Sequence, residues 1–405
     1  MASLKINALN KVYPSGEKAL YNVCLETNDK EFLVVYGGEA SGKSTLLRLI
    51  AGLDDPTSGE IFIDGKDMTD VVPKDRNLAM VFRGDTLYPA LNVFDNMAFG
   101  LKQRNAPQAL ITQRVKAVAE ILGLNEVLYK KPKQLSAATR QRVAIGRALA
   151  REPKLYLFDE PLNGLDDKLR EEMLGLLINL QARMEGSFIY ATKNLSEAMT
   201  AATRILVLKN GLVQQIDTPA NLYDYPANAY VAFLIGSPTI NFVNKAKIVK
   251  GEEGYKVTCG EFELPLAENI VARFEGIEEY AENGKEVILG IRPEDAAAGR
   301  EGALKGTVGK VESDGENAYC ECNLDGGISL IVKGQPEFKG GESVHLNVDL
   351  SHIYLFDGVT RLTLLKRDED YVNTGHADAE FVPLSFEEER EITEKLPQKK
   401  DKKKK

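Results

Sequence analysis

The chain has 405 residues, more than one hydrophobic core usually organises, and its 43% hydrophobic and 27% charged content is that of a soluble globular protein with two or three domains. A net charge of −9 argues against broad nucleic-acid binding. The opening MASLKINALNK has no apolar core of signal-peptide length and no uncharged apolar run reaches about 18 residues, so neither crossing nor entry of a membrane is expected; four irregularly spaced cysteines, Cys24, Cys259, Cys320 and Cys322, exclude a disulfide framework and fit a reducing cytoplasm.

Up to about residue 235, strand and helix patterns alternate, which is α/β grammar. The strand Phe32 to Tyr36 runs into Gly37-Gly38-Glu39-Ala40-Ser41-Gly42-Lys43-Ser44-Thr45, and a helix is predicted from Lys43 to Leu53. A GxxxxGKS/T loop between strand and helix is a nucleotide phosphate cradle. Glycines let backbone N–H groups curl around phosphates, and the helix N-terminus adds a favourable dipole. Lys43 reaches the terminal phosphates, and Ser44 ligates magnesium. The competing reading is a Gly-rich turn, which the flanking strand and helix disfavour.

Further strands are predicted over Gly59 to Ile63, Leu78 to Phe82, Leu155 to Phe158, Ser187 to Ala191 and Arg204 to Leu208. All are short apolar runs that read as buried on both faces. Helices are predicted over Pro107 to Leu122, Ala137 to Arg151 and Lys168 to Met184. In the last, Met173, Leu176, Leu177, Leu180 and Met184 recur at spacings of three and four, a core stripe rather than a cofactor box. The strand from Leu155 ends in two carboxylates, Asp159 and Glu160. Beside a phosphate loop, the first orients the magnesium shell and the second activates the attacking water. Alone, two acids would mark only a strand end.

Near Gly236-Ser237-Pro238 the helical signals stop, and residues 240 to 365 read as short alternating strands, a small β-barrel. Cys320 and Cys322 fall on one strand face, and His345 and His352 lie seven apart, both pairs without companions for a metal site. Glu387 to Glu391 would open a short helix, and LPQKKDKKKK closes the chain as a basic, solvated tail, with contact to anionic lipid headgroups as the alternative.

With loop and carboxylates in place, the chain resembles the ATP-hydrolysing subunit of ATP-binding cassette importers of the maltose and glycerol-phosphate type. The resemblance covers residues 1 to about 366. It rests on STLLRLIAGLDDPTSGEIFIDGKDMTDVVPKDRNLAMVF, on PKQLS with RQRVAIGRALAREPKLYLFDEPLNGLD, and on SEAMTAATRILVLKNG. Downstream, GSPTINF, VILGIRPEDA and HIYLFDG resemble the transport-associated OB-like domain of that family. The resemblance implies an α/β cassette over 1–236 with a helical subdomain at about 84–152, an all-β OB-like regulatory domain over 237–368 and a polar tail over 369–405. It implies ATP and Mg2+ as cofactors, with Ser44 and Asp159 on the metal. By resemblance Tyr13 stacks on adenine, Asn163 to Asp166 touch the opposite subunit, and Leu87, Tyr88, Pro89, Val93 and Asn96 form the groove for the membrane subunits. Packing of the helical subdomain is the alternative for those five. The implied partners are a second cassette in a homodimer or heterodimer, two membrane permease subunits and, indirectly, an external solute-binding protein, with no nucleic acid. The implied location is cytoplasmic, peripheral on the inner face of the cell membrane.

Where the family carries a glutamine after the third strand of the motif series, this chain has Arg83. A guanidinium only donates and is always charged, so it neither ligates a cation nor accepts a proton. The LSGGQ signature reads Leu135-Ser136-Ala137-Ala138-Thr139, whose added Cβ atoms crowd a γ-phosphate approached from the opposing subunit. The switch histidine is replaced by Lys193, which lacks the acceptor nitrogen that holds water. Glu39 and Ala40 replace serine and glycine in the loop itself, a carboxylate that repels phosphates unless paired and a residue that resists positive φ. Losing one preorganised transition-state contact costs a factor of about 10² to 10³. Two readings therefore stand: an importer subunit coupling ATP binding and weak hydrolysis, with Glu160 as candidate base, to permease movement, and a catalytically inactive, nucleotide-gated scaffold. A soluble cassette unrelated to transport is a third, which the OB-like region opposes.

Overall fold

A computed structural model describes residues 3–84, 86–184, 186–252, 254–313 and 318–367. The chain divides into two compact units after Pro219.

The first unit is built on a six-stranded sheet. Its order is β10 (Leu212–Asp217), β9 (Arg204–Lys209), β3 (Phe32–Tyr36), β8 (Ser187–Thr192), β7 (Leu155–Asp159) and β6 (Leu78–Val81). All neighbours are parallel except β10 against β9. Every residue of β3, β7 and β8 is buried, because helices cover both faces of a parallel sheet and leave no solvated side on which polar residues would alternate. An aromatic cluster fills one layer, with Phe158 and Phe188 ring centres 5.1 Å apart and Phe32 and Phe188 5.5 Å apart.

The strand expected over Gly59 to Ile63 behaves differently. As β4 (Ser58–Ile63) it joins a separate antiparallel sheet of β2 (Lys18–Glu26), β1 (Leu4–Val12), β4 and β5 (Lys66–Asp67). Only Ile61 and Ile63 of β4 are buried, so the expectation of burial on both faces is corrected to one-sided alternation.

Helix α1 (Lys43–Ala51) follows β3 and ends at Gly52, whose φ of 73° places it in the left-handed region that closes helices. The guanidinium of Arg76, itself 2% exposed, donates to the terminal carbonyls of Leu49 and Ile50 at 2.8 and 2.9 Å. Helices α2 (Val93–Gln103), α3 (Gln108–Ile121) and α4 (Ala137–Leu149) fill the stretch between β6 and β7, and α5 (Asp167–Arg183) and α6 (Leu195–Ala201) flank β8. Four of them start on a side-chain cap: Asn92, Ser136, Asp166 and Asn194 each accept a backbone N–H three residues on. In α5, Met173, Leu177 and Leu180 are buried and Leu176 and Met184 half-buried, as a core stripe requires.

In the second unit α7 (Pro219–Asp224) and α8 (Ala229–Leu234) precede an antiparallel sheet. Its order is β13 (Phe262–Leu266), β12 (Gly254–Cys259), β11 (Asn241–Gly251), β14 (Glu286–Ile291) and β20 (Tyr354–Asp357). A closed barrel follows the order β15 (Ala296–Gly299), β18 (Ser329–Lys333), β17 (Ala318–Leu324), β16 (Leu304–Ser313) and β19 (Ser343–Val348). The single small barrel read from the sequence is thus one barrel plus one open sheet. Helices α9 (Glu268–Val271) and α10 (Ile277–Asn283) interrupt the strands; at four and seven residues they are too short for apolar periodicity to register. Cys320 and Cys322 lie on one face of β17 with Sγ atoms 3.5 Å apart. His345 sets Nδ1 3.2 Å from the Gly302 carbonyl, while His352 is exposed. The helix expected at Glu387 to Glu391 and the basic tail lie outside the described residues. Among the described residues no helix is long and apolar enough to cross a membrane.

Candidate nucleotide-binding site

Residues Gly37 to Ser44 wrap the C-terminal end of β3, where a parallel sheet and a helix N-terminus converge. A Cβ at Gly37 would meet the Leu208 carbonyl oxygen at 2.2 Å, and one at Gly42 (φ 104°) the Ala19 carbonyl oxygen at 2.6 Å. Glycine at both positions follows from those close approaches. Gly38 has open space where a Cβ would stand. Ala40 adopts φ 57°, so the loop does require the left-handed backbone that alanine resists.

The loop is held from within. The Lys43 ammonium, 5% exposed, donates to the carbonyls of Gly37 at 2.8 Å and Gly38 at 2.6 Å and lies 3.2 Å from Ser41 Oγ. Burial pushes its pKa below the ordinary lysine value, and the Glu160 and Asp159 carboxylates oppose that shift. Thr45 Oγ1 sits 3.2 Å from the Tyr13 hydroxyl, and Lys11 Nζ stands 5.1 Å from the Tyr13 ring centre.

Strand β7 delivers the two acids to this loop. Ser44 Oγ donates to Asp159 Oδ1 at 2.8 Å, joining two hard oxygens of the kind magnesium takes. Burial raises the Asp159 carboxyl above its usual range, against the Ser44 hydrogen bond. Glu160 takes φ 44° and donates its N–H to the Ala191 carbonyl at 3.0 Å. Its Oε2 is buried and accepts no hydrogen bond, although Arg83 Nε lies 3.5 Å away at ion-pair distance. Proximity here is not bonding geometry.

The residues that depart from the family pattern meet around the same loop. Lys193 Nζ pairs with Glu39 Oε1 at 2.7 Å, and the ammonium holds the exposed Glu39 carboxyl below its usual range. The repulsion expected of a lone carboxylate beside phosphates is therefore offset within the chain. Ser136 to Thr139 lie elsewhere, at the start of α4. There Ser136 Oγ accepts the Thr139 N–H at 3.2 Å and stands 2.9 Å from Thr139 Oγ1, and Ala137 and Ala138 occupy the first turn. The Ser136 carbonyl also accepts the Arg140 N–H at 3.0 Å, the first helical bond of α4. In the loop Asn163 to Asp166, Gly164 takes φ 83° and Asp166 caps α5.

Of the five expected groove residues, Val93 and Asn96 are fully buried and pack the helical layer. Asn96 accepts the Tyr88 N–H at 2.8 Å and donates to the carbonyls of Tyr88, Leu91 and Asn92. Only Tyr88 of the five lines the cavity there, about 830 Å³, with Met80, Phe82, Phe99, Arg147 and Arg151 among its walls. The Arg147 guanidinium lies over the Tyr88 ring at 5.4 Å and donates to the Thr86 carbonyl at 2.7 Å.

Sequence reading missed Glu197. It is 5% exposed and accepts from the Tyr190 hydroxyl at 2.9 Å and Thr192 Oγ1 at 2.6 Å, with Arg170 Nε at 3.5 Å. It thereby ties the start of α5 to the turn that carries Lys193. No spacing signals this, because Arg170 comes from a distant segment while Tyr190 and Thr192 end the strand before the turn.

Comparison with known proteins agrees with this geometry. Residues 20–163 match the ABC transporter family, 236–296 the MalK OB fold domain and 289–356 the TOBE domain. The oligosaccharides import ATP-binding protein MsmX of Bacillus subtilis is 39% identical over 372 residues, 90% of this chain and 100% of that protein. The trehalose/maltose import ATP-binding protein MalK of Thermococcus litoralis is 41% identical over 377 residues, 89% and 99% of the two chains. Among solved structures, cbiO1 of Clostridium perfringens, part of the ABC transporter complex cbiONQ, superposes with a TM-score of 0.51 at 28% identity, covering 55% of this chain and 90% of that one. With a phosphate loop, its paired acids and the downstream domains all in register, the chain belongs to the ABC transporter family as one of its ATP-binding subunits.

Proposed function

We propose that the chain is the nucleotide-binding subunit of an importer for oligosaccharides or related solutes, binding Mg-ATP and driving two membrane permease subunits from the inner face of the cell membrane. The observation that carries the reading is the Ser44–Asp159 hydrogen bond at 2.8 Å beside the loop-held Lys43 ammonium. Those residues fit the group: Ser44 and Asp159 would hold Mg2+, which would supply charge neutralisation to the bound triphosphate. Gly37 to Ser44 wrap the phosphates, Lys43 orients the terminal ones, and Tyr13 offers a ring for adenine. The solute class is supported by the relatives named for oligosaccharide and trehalose/maltose import.

A second cassette, identical or not, supplies Ser136 to Thr139 across the γ-phosphate, and an external solute-binding protein acts through the permease. The permease subunits dock at the Tyr88 and Arg147 cavity. Glu160 is the candidate proton acceptor for water, and the Arg83 guanidinium, 3.5 Å from its Oε2, can neither ligate a cation nor accept a proton. Lys193, engaged with Glu39, has no acceptor for water. Hydrolysis is therefore slow, and these two ion pairs also favour a second reading, a nucleotide-gated scaffold.

One experiment separates the outcomes: ATP titration and steady-state phosphate release by the purified chain, alone and with an intact partner cassette. The expected result is ATP binding that Lys43→Ala weakens by about 10²-fold, with phosphate release at least about 10²-fold below that of an intact cassette dimer. Turnover of ordinary transporter magnitude would sink slow hydrolysis and the scaffold alike. Absence of ATP binding would sink the nucleotide reading.

A further inference from the structure

We infer that Glu197 is a positioning residue: through Arg170 it ties the turn carrying Lys193 to the loop from Asn163 to Asp166, so that ATP bound near the turn is felt at the loop. The inference rests on the nucleotide-binding reading and adds to it a residue that acts only through others.

Glu197 lies in the first turn of α6 and is 5% exposed. Its Oε2 accepts from Thr192 Oγ1 at 2.6 Å and from the Tyr190 hydroxyl at 2.9 Å. Burial, reinforced by this carboxylate, pushes the Tyr190 hydroxyl far above its ordinary range, so it stays a donor. The turn closes on the same residues. The Asn194 N–H donates to Thr192 Oγ1 at 3.0 Å, and the Glu197 N–H donates to Asn194 Oδ1 at 3.1 Å. Lys193 is thus flanked on both sides by bonded neighbours, and its ammonium reaches Glu39 at 2.7 Å.

Those contacts are local and would serve a turn of any purpose. The second carboxylate oxygen is turned elsewhere. Glu197 Oε1 faces Arg170 Nε of α5 at 3.5 Å, and the same guanidinium donates through Nη2 to the Leu165 carbonyl at 2.7 Å and through Nη1 to Asp167. One planar group therefore meets the carboxylate with one edge and the loop before α5 with another. A continuous series of contacts runs Glu39, Lys193, Thr192, Glu197, Arg170, Leu165, and a contiguous network of this kind can carry coupling between its ends. The far end is the loop expected to touch the opposite subunit. A second route runs from the Glu160 carbonyl to the Asn163 N–H at 3.2 Å, and removing Arg170 separates the two.

The test is hydrogen exchange of the full chain, read by mass spectrometry over residues 163–170 and 190–197, with and without ATP and Mg2+. The natural protein is compared with Glu197→Gln, which keeps an acceptor for the hydroxyls but no charge toward Arg170, and with Arg170→Gln and Arg170→Lys. In the natural protein ATP should slow exchange at both segments by at least about fivefold. In Glu197→Gln and Arg170→Gln the slowing should persist over 190–197 and fall below about twofold over 163–170, with Arg170→Lys, which keeps the charge, between. A purely structural role would leave the two segments responding together in every variant. Slowing over 163–170 that survives in Arg170→Gln overturns the inference, as does a natural protein that binds ATP without any change there; both leave the nucleotide reading standing. If a melt shows that Glu197→Gln does not fold, Arg170→Gln decides alone, its side chain being 24% exposed. Calorimetry on the same samples follows ATP binding itself, and its absence in the natural protein overturns the nucleotide reading and the inference with it.

Discussion

The inner shell of the phosphate site and its rim are built on opposite logics. In the inner shell, Gly37, Gly42, Lys43, Ser44 and Asp159 are held by close backbone approach and short hydrogen bonds. At the rim, Arg83, Glu39 and Lys193 are exposed; Glu39 pairs with Lys193, and Arg83 stands 3.5 Å from Glu160 without bonding geometry. Exposed ion pairs contribute about 0–1 kcal/mol. The rim is therefore easy to rearrange, whereas Lys43 and Asp159 of the inner shell are buried. Binding and reacting are different demands, and the proposed function assigns the inner shell to the first and the rim to the second.

The sharpest way to break this contrast is to repair the rim. Combining Arg83→Gln, Lys193→His and Ala137→Gly, Ala138→Gly, Thr139→Gln should raise phosphate release by about 10³-fold, since the restored contacts act together. A repaired chain that stays inert would mean the rim is not what limits turnover. Next in size, Lys43→Ala should weaken ATP binding by about 10²-fold in calorimetry, with little change in the rim. Asn96→Ala, which strands buried carbonyls and the Tyr88 N–H, should lower unfolding stability by about 2 kcal/mol in urea titrations, while ATP affinity stays within twofold or so. Ala40→Gly relieves a left-handed alanine against the greater chain entropy of glycine, for a net gain of about 0.5 kcal/mol.

The smallest expected effect is a matter of sign. The folded Asp159 carboxyl is raised by burial, so its ionised form disfavours the fold once pH exceeds the ordinary carboxylate range. Asp159→Asn should raise the unfolding temperature of the nucleotide-free protein at neutral pH, the gain shrinking as pH falls into that range, while weakening Mg-ATP binding. A lower unfolding temperature at neutral pH would show that the Ser44 bond outweighs burial.

Much of this was legible in the chain itself. The loop, both acids and the doubly buried strands β3, β7 and β8 announce themselves because a parallel sheet leaves continuous apolar runs. Strands β1 and β2 do not. Their pairing is broken by repeated register shifts, and only three of the nine residues of each strand are buried. The Gly59 to Ile63 run was apolar enough to pass for a central strand although only alternate residues are buried. At the site, sequence places Arg83, Lys193 and Glu39 side by side in argument but says nothing of who pairs with whom. That Lys193 neutralises Glu39 is a fact of space, since the two lie 154 positions apart. Glu197 was invisible because its two hydroxyl partners, five and seven positions away, and Arg170 converge on it only in the folded turn.

Asn96 has a consequence for assembly. Its amide closes four hydrogen bonds onto the backbone of Tyr88, Leu91 and Asn92, and Arg147 ties down Thr86 from the other side. The segment beside the cavity thus has its shape before anything lands on it. A partner docking there meets no ordering cost from this stretch, where an unstructured loop would charge about 0.5–1.5 kcal/mol for each side chain immobilised. Motion passed to or from that partner would travel through a stiff coupling, with little lost in slack.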